Sequence, residues 1–148
     1  MVSIRHCGIY VHNIDKMAAF YKNVFRMFSI VDKYCDSGKC VDELIGVKGA
    51  RIWITKLITE KGKLTGDGDM IELVQIDYPR NTAPGFKRRF SDTGVVHIAF
   101  ECSIRDTVSR IENNSGRVIV APMIRENGNA LCFCEDPEGN FLELIERG

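Results

Sequence analysis

Surplus charge is the first thing this sequence lacks. Lysine plus arginine and aspartate plus glutamate number 20 each, so the formal net charge is zero. Such a balance gives nucleic acid or an acidic membrane no electrostatic reward, which argues against both as main partners. The one short basic run, Lys87-Arg88-Arg89, reads as a solvated loop. Long apolar runs are missing too, so no segment suits a membrane span. The opening stretch MVSIRHCGIYVHNID is broken by polar residues before it reaches the apolar length of a secretion signal. Prolines number four and 45% of residues are hydrophobic, the balance of an ordinary soluble domain. Without a secretion signal, the six cysteines read as reduced thiols in a cytoplasmic protein. Cys35-x4-Cys40 and Cys132-x-Cys134 match no zinc-ligand spacing.

What is present is repetition. A chain of 148 residues holds one compact domain or two small fused halves. IRHCGIYVHNIDKMAAFYKNVF near the start resembles VVHIAFECSIRDTVSRIENNSG from Val95 onward. Each copy opens with a β-rich run containing a histidine, followed by a capping residue and a helical pattern. The first helix is expected to start near Asp15, with Met17, Phe20, Tyr21 and Val24 forming one apolar stripe. In the second, Ser103 and Asp106 suggest a capping box, and Ile104, Val108 and Ile111 form the stripe. Asn114-Ser115-Gly116 then stops the helix.

Strand-like runs follow each helix: Phe28 to Lys33, Ala50 to Ile58 and Met70 to Ile76, then Val118 to Ala121, Leu131 to Cys134 and Phe141 to Ile145. Each half thus reads as strand, helix and three strands. The stretches 62–69 and 136–139 read as turns feeding the last strand of each half. The halves are expected at 1–78 and 93–148, joined by a connector at 79–92.

The last strand of each half is unusual. GDMIELVQ carries Glu72 and GNFLELIE carries Glu143, each a carboxylate in an apolar run. Strand side chains alternate between faces, so Glu72 shares a face with Met70 and Val74, and Glu143 with Phe141 and Ile145. A carboxylate there is costly to bury unless something pairs with it. His6 and His97 occupy matching places in the opening strands. Symmetric packing of the halves would bring His6, Glu72, His97 and Glu143 into one cleft. Two imidazoles and two carboxylates suit a divalent first-row cation, Ni, Zn, Co, Mn or Fe, with bonds of roughly 2.0–2.2 Å. A lone histidine or glutamate in a strand is usually a satisfied polar side chain; four at equivalent positions are harder to explain that way. Gln75 and Glu146 point to the opposite face and are not candidates, and His12 reads as a loop residue.

The stretches HCGIYVHNIDKMAAFYKNVF, ELVQ, GVVHIAFEC and CEDPEGNFLELIE resemble the vicinal oxygen chelate superfamily across nearly the whole chain. That superfamily includes glyoxalase I, methylmalonyl-CoA epimerase, extradiol dioxygenases and the fosfomycin and bleomycin resistance proteins. The resemblance implies an α+β fold of two βαβββ modules forming a cupped mixed sheet, usually in a homodimer. It implies that His6, Glu72, His97 and Glu143 are the metal ligands. The ligand set is most similar to that of glyoxalase I, a lyase or isomerase that polarises the carbonyl of a small thiol adduct while a glutamate moves a proton between adjacent carbons. Glu143 would be that base and Glu72 its partner.

Two positions depart from the glyoxalase pattern: Tyr10 stands where an Arg is usual, and Ile76 where an Asn is usual. Both are anion or substrate contacts in that family. A small oxo-acid therefore stands beside a thiol adduct as the expected substrate. An epimerase fits less well, because GVKGARIWITK offers no second acid. An extradiol dioxygenase fits less well because Glu72 would occupy a position that oxygen chemistry needs. The rival class is a metal-free binding protein that traps a small molecule, with Tyr10, Trp53 and Phe133 lining the cleft.

Overall fold

Alternation of side chains decides which residues of each strand meet a helix, and that choice explains most of the architecture. The computed structural model describes residues 2–66, 68–81 and 87–148. The chain forms two compact units, Met1–Ala83 and Pro84–Gly148. The boundary between them falls within the stretch 79–92, of which residues 82–86 lie outside the described part.

The first unit runs β1 (Cys7–Tyr10), α1 (Ile14–Phe25), β2 (Phe28–Ser37), α2 (Lys39–Ile45), β3 (Arg51–Ile58), α3 (Glu60–Thr65) and β4 (Met70–Tyr78). Its sheet has the order β1-β4-β3-β2, with β1 parallel to β4 and the remaining pairs antiparallel. The second unit runs β5 (His97–Glu101), α4 (Ile104–Asn113), β6 (Arg117–Ile124), β7 (Ala130–Glu135) and β8 (Phe141–Glu146). Its order, β5-β8-β7-β6, repeats the first, again with only the β5–β8 pair parallel. The fold is α+β, and each unit contains the expected βαβββ frame.

In the first unit Met17, Phe20, Tyr21 and Val24 are all buried, as their spacing requires. On the strands, Leu57 and Thr55 pair with Ile71 and Leu73 to give a buried helix-side face. In the second unit Ile104, Thr107 and Ile111 are buried on α4, while Cys132 and Cys134 pair with Leu144 and Leu142. Val108 is only half-buried; Thr107 takes the enclosed place instead.

Several local expectations change. Asn13, not Asp15, caps α1: its Oδ1 accepts a hydrogen bond from the Lys16 N–H at 3.0 Å. Ser103 holds the N-cap position of α4, but its hydroxyl makes no capping bond, so the expected capping box is absent. The Ile104 N–H instead donates to Glu146 Oε2 at 2.8 Å. A carboxylate delivered by the neighbouring strand satisfies that donor and also favours the positive end of the helix dipole. Part of the turn expected at 62–69 is helical, since α3 extends to Thr65. Sequence reading also missed α2, which packs Val41 and Ile45 against Ala50, Ile52, Ile54, Val74 and Ile76. These last three strand residues lie on the face opposite α1. None of the helices is long and apolar enough to cross a membrane.

Candidate metal centre

Each final strand separates two duties by parity. On β4, Ile71, Leu73 and Gln75 face α1, leaving Met70, Glu72 and Val74 on the other side. Gln75 Oε1 accepts the Ile14 N–H at 2.8 Å. On β8, Leu142, Leu144 and Glu146 face α4, leaving Phe141, Glu143 and Ile145 opposite. The side chains set aside as non-candidates thus cap the two principal helices, and the glutamates proposed as ligands lie across the strand from them.

The parallel pairing supplies the histidines. Gly8 lies beside Glu72 in β1–β4, and His6, two residues earlier, shares its face. A Cβ added at Gly8 would meet nothing within 4 Å, so the space beside Glu72 is open. In β5–β8, Ala99 lies beside Glu143, and His97 again precedes it by two. The result is the same pairing twice. His6 Nε2 is 3.6 Å from Glu72 Oε1, and His97 Nε2 is 3.0 Å from Glu143 Oε2. Both carboxylates are mostly covered while both imidazoles remain partly accessible. Within neither unit do the described residues add a third His, Cys, Asp or Glu to form a metal-binding group.

The third strand distinguishes the pairs. Antiparallel register sets Lys56 opposite Glu72, and the Lys56 Nζ donates to Glu72 Oε2 at 2.9 Å. The equivalent position opposite Glu143 is Phe133. Phe133 meets the edge of His97 with centroids 5.7 Å apart, and Phe90 packs against both Phe133 and Phe141 at 5.0 and 4.2 Å. Sequence reading missed Lys56 and Phe90. A lysine inside the apolar run RIWITKLI was the available signal for the former. Trp53, expected in the cleft, is opposite Gln75 and so belongs to the helix-side face. Tyr10 and Phe133 do lie on the face that carries the His–Glu pairs.

The donor chemistry fits a cation. Bonds of about 2.1 Å meeting at a right angle place nitrogen and oxygen about 3.0 Å apart, and a tetrahedral angle places them about 3.4 Å apart. The observed 3.0 and 3.6 Å fall near those edges. His6 Nδ1, the ring nitrogen away from Glu72, is buried with no hydrogen-bond partner among the described residues. Among the described residues, the cysteines join no cluster that could hold a metal. Burial is the main cause that raises the Cys102 and Cys132 thiols and pushes Cys134 up to about 12. Thiols so reluctant to ionise are poor ligands and nucleophiles.

The profile of the Glyoxalase/Bleomycin resistance protein/Dioxygenase superfamily matches residues 3–144. The chain belongs to that superfamily. Solved members show the same fold. A glyoxalase family protein from Bacillus cereus superposes with a TM-score of 0.86 at 19% identity, over 100% of this chain and 96% of that one. A glyoxylase/bleomycin resistance protein/dioxygenase domain from Frankia gives 0.66 at 13% identity, over 100% and 93%. A glyoxalase I mutant from Zea mays gives 0.61 at 18% identity, covering 97% of this chain but 44% of the maize chain. At these identities the likeness establishes fold alone. No curated protein matches the sequence.

Proposed function

We propose that His6, Glu72, His97 and Glu143 together hold one divalent cation (Ni, Zn, Co, Mn or Fe) in a metal-dependent isomerase or lyase of the glyoxalase I type. The observation that carries this reading is the His–Glu pair formed in the same strand register in both modules, at 3.6 and 3.0 Å. Superfamily membership supports it. A bound cation would supply Lewis-acid polarisation of a substrate carbonyl oxygen. Glu143 removes the proton from the carbon beside that carbonyl and returns it to the neighbouring carbon. Phe133, the direct cross-strand partner of Glu143, sets an apolar ring beside a carboxylate that is mostly covered. The substrate is a small thiol adduct or oxo-acid. Tyr10 and Ile76, in place of the family's polar contacts, favour a ligand other than a glutathione adduct. Exposed Ile30 and Tyr34 on edge strand β2, and Met123 and Ile124 on edge strand β6, support burial in a homodimer.

A second reading has one observation in its favour. Lys56 neutralises Glu72 without any metal, as a metal-free small-molecule binding protein would require. Metal analysis of protein purified without a histidine tag decides between them. The enzyme reading expects about one equivalent of a transition metal per four-residue set. It also expects Glu143→Gln to lose most of that metal with unchanged circular dichroism. A folded, metal-free wild type would select the binding protein, and unchanged metal in Glu143→Gln would remove that residue from the site. Turnover assays on hemithioacetals, acyl-CoA thioesters and catechols then separate lyase, epimerase and dioxygenase chemistry.

A further inference from the structure

We propose that Lys56 is a positioning residue that makes the two glutamates chemically unequal, fixing Glu72 as a one-oxygen ligand and leaving proton transfer to Glu143. The inference rests on the metal reading above. A carboxylate has two oxygens to distribute. Lys56 Nζ takes Glu72 Oε2 at 2.9 Å, while Oε1 is the oxygen turned toward His6. The division follows from register: Lys56 and Glu72 are direct antiparallel partners, so their side chains emerge from one face at neighbouring points. An ammonium held there acts through position. It holds Oε2 away from a cation bound through Oε1, and it resists the rotation that would let Glu72 chelate through both oxygens.

Among the described residues, no lysine or arginine forms an ion pair with Glu143. Its direct cross-strand partner is Phe133, an apolar ring, and its Oε2 lies 3.0 Å from His97 Nε2. A carboxylate facing a ring instead of an ammonium has neither oxygen tied by a cross-strand cation. Two pairs alike in His, Glu and strand order therefore diverge at the cross-strand position opposite the glutamate. Outer partners that orient a metal's ligands typically change affinity or activity about 10–100-fold when removed. Lys56 also repels a nearby cation, an effect opposite in sign to the loss of orientation, so the sign of the change in affinity tests the positioning role.

Cobalt(II) titration of metal-free wild type, Lys56→Met and Lys56→Arg, followed by calorimetry and visible absorption, provides the measurement. Lys56→Met should bind Co(II) about 10–100-fold more weakly, with an altered d–d spectrum. Lys56→Arg, which keeps the donor, should recover most of the affinity and the wild-type spectrum. Thermal melts of the metal-free proteins confirm that all three are folded. Unchanged or tighter Co(II) binding in Lys56→Met, with the wild-type spectrum, overturns the positioning role while leaving the metal site intact. Failure of wild type itself to bind Co(II) overturns both. A spectrum altered to the same degree in the Arg and Met variants also overturns it, because a preserved donor would then make no difference.

Discussion

The first and second modules share a frame and differ at the position opposite the glutamate. Both place a histidine two residues before a small residue, Gly8 or Ala99, beside Glu72 or Glu143. Both use the back of the same strand to cap a helix, through Gln75 or Glu146. Opposite the glutamate, one module has an ammonium and the other a phenyl ring. Backbone pairing therefore sets where a functional side chain stands, while its cross-strand neighbour sets what that side chain can do. Duplicating a module copies the first property and leaves the second free to change.

The shared frame should fail equally in both halves. Leu73 and Leu144 are fully buried on corresponding strands, so Leu73→Ala and Leu144→Ala should each cost about 3 kcal/mol in urea denaturation. A large inequality would show that the two cores are not equivalent. The caps should differ in degree. Glu146→Ala removes a charged acceptor at the α4 N-terminus and should cost about 1–2 kcal/mol, partly screened by salt. Gln75→Ala removes a neutral one and should cost about 1 kcal/mol, with little salt dependence.

A smaller difference should appear in alkaline solution. The Cys134 thiol is raised to about 12 by burial first and by Cys132 beside it. A raised folded-state value means the protein binds this proton more tightly than the unfolded chain does. Stability from this group is complete below the ordinary thiol value of 9.0 and declines as pH climbs toward 12. Under reducing conditions, Cys134→Ala should flatten the fall in melting temperature between pH 9 and 11 on the order expected for one thiol. The corresponding helix-side strand face of the first module carries Thr55 and Leu57, which do not ionise there. Least disruptive of all is thiol labelling: Cys7, Cys35 and Cys40 are exposed and should react in the native protein, while Cys132 and Cys134 wait for unfolding. Rapid native labelling of Cys134 would contradict its enclosure beneath α4.

Much of the frame was legible because helices and strands repeat with different periods. Met17, Phe20, Tyr21 and Val24 define α1 whatever surrounds them, and the duplicated ELVQ and ELIE strands announce their own parity. The helices α2 and α3, of seven and six residues, are too short to display a periodic stripe, and tertiary packing holds them. His6, Glu72, His97 and Glu143 stood out because the pattern repeats. Lys56 did not, and Trp53 was placed on the wrong face, for one common reason. Which residue of β3 faces which residue of β4 depends on register between strands, and neither strand's own alternation states it. Likewise, Ser103 and Asp106 carry a local capping signal that a distant carboxylate, Glu146, displaces.

The opposed duties of β8 have a consequence for errors in assembly. Glu143 and Glu146 are separated by an odd number of positions, so they must leave the strand in opposite directions. A slip by one residue would drive Glu143 into the hydrocarbon layer beneath α4 and pull Glu146 away from the helix it completes. The same misalignment would also turn Leu142 and Leu144 outward. No partial success is open to such a chain, because one mistake forfeits the carboxylate, the cap and the leucines at once. Proofreading of this strand is thereby written into its own order of residues.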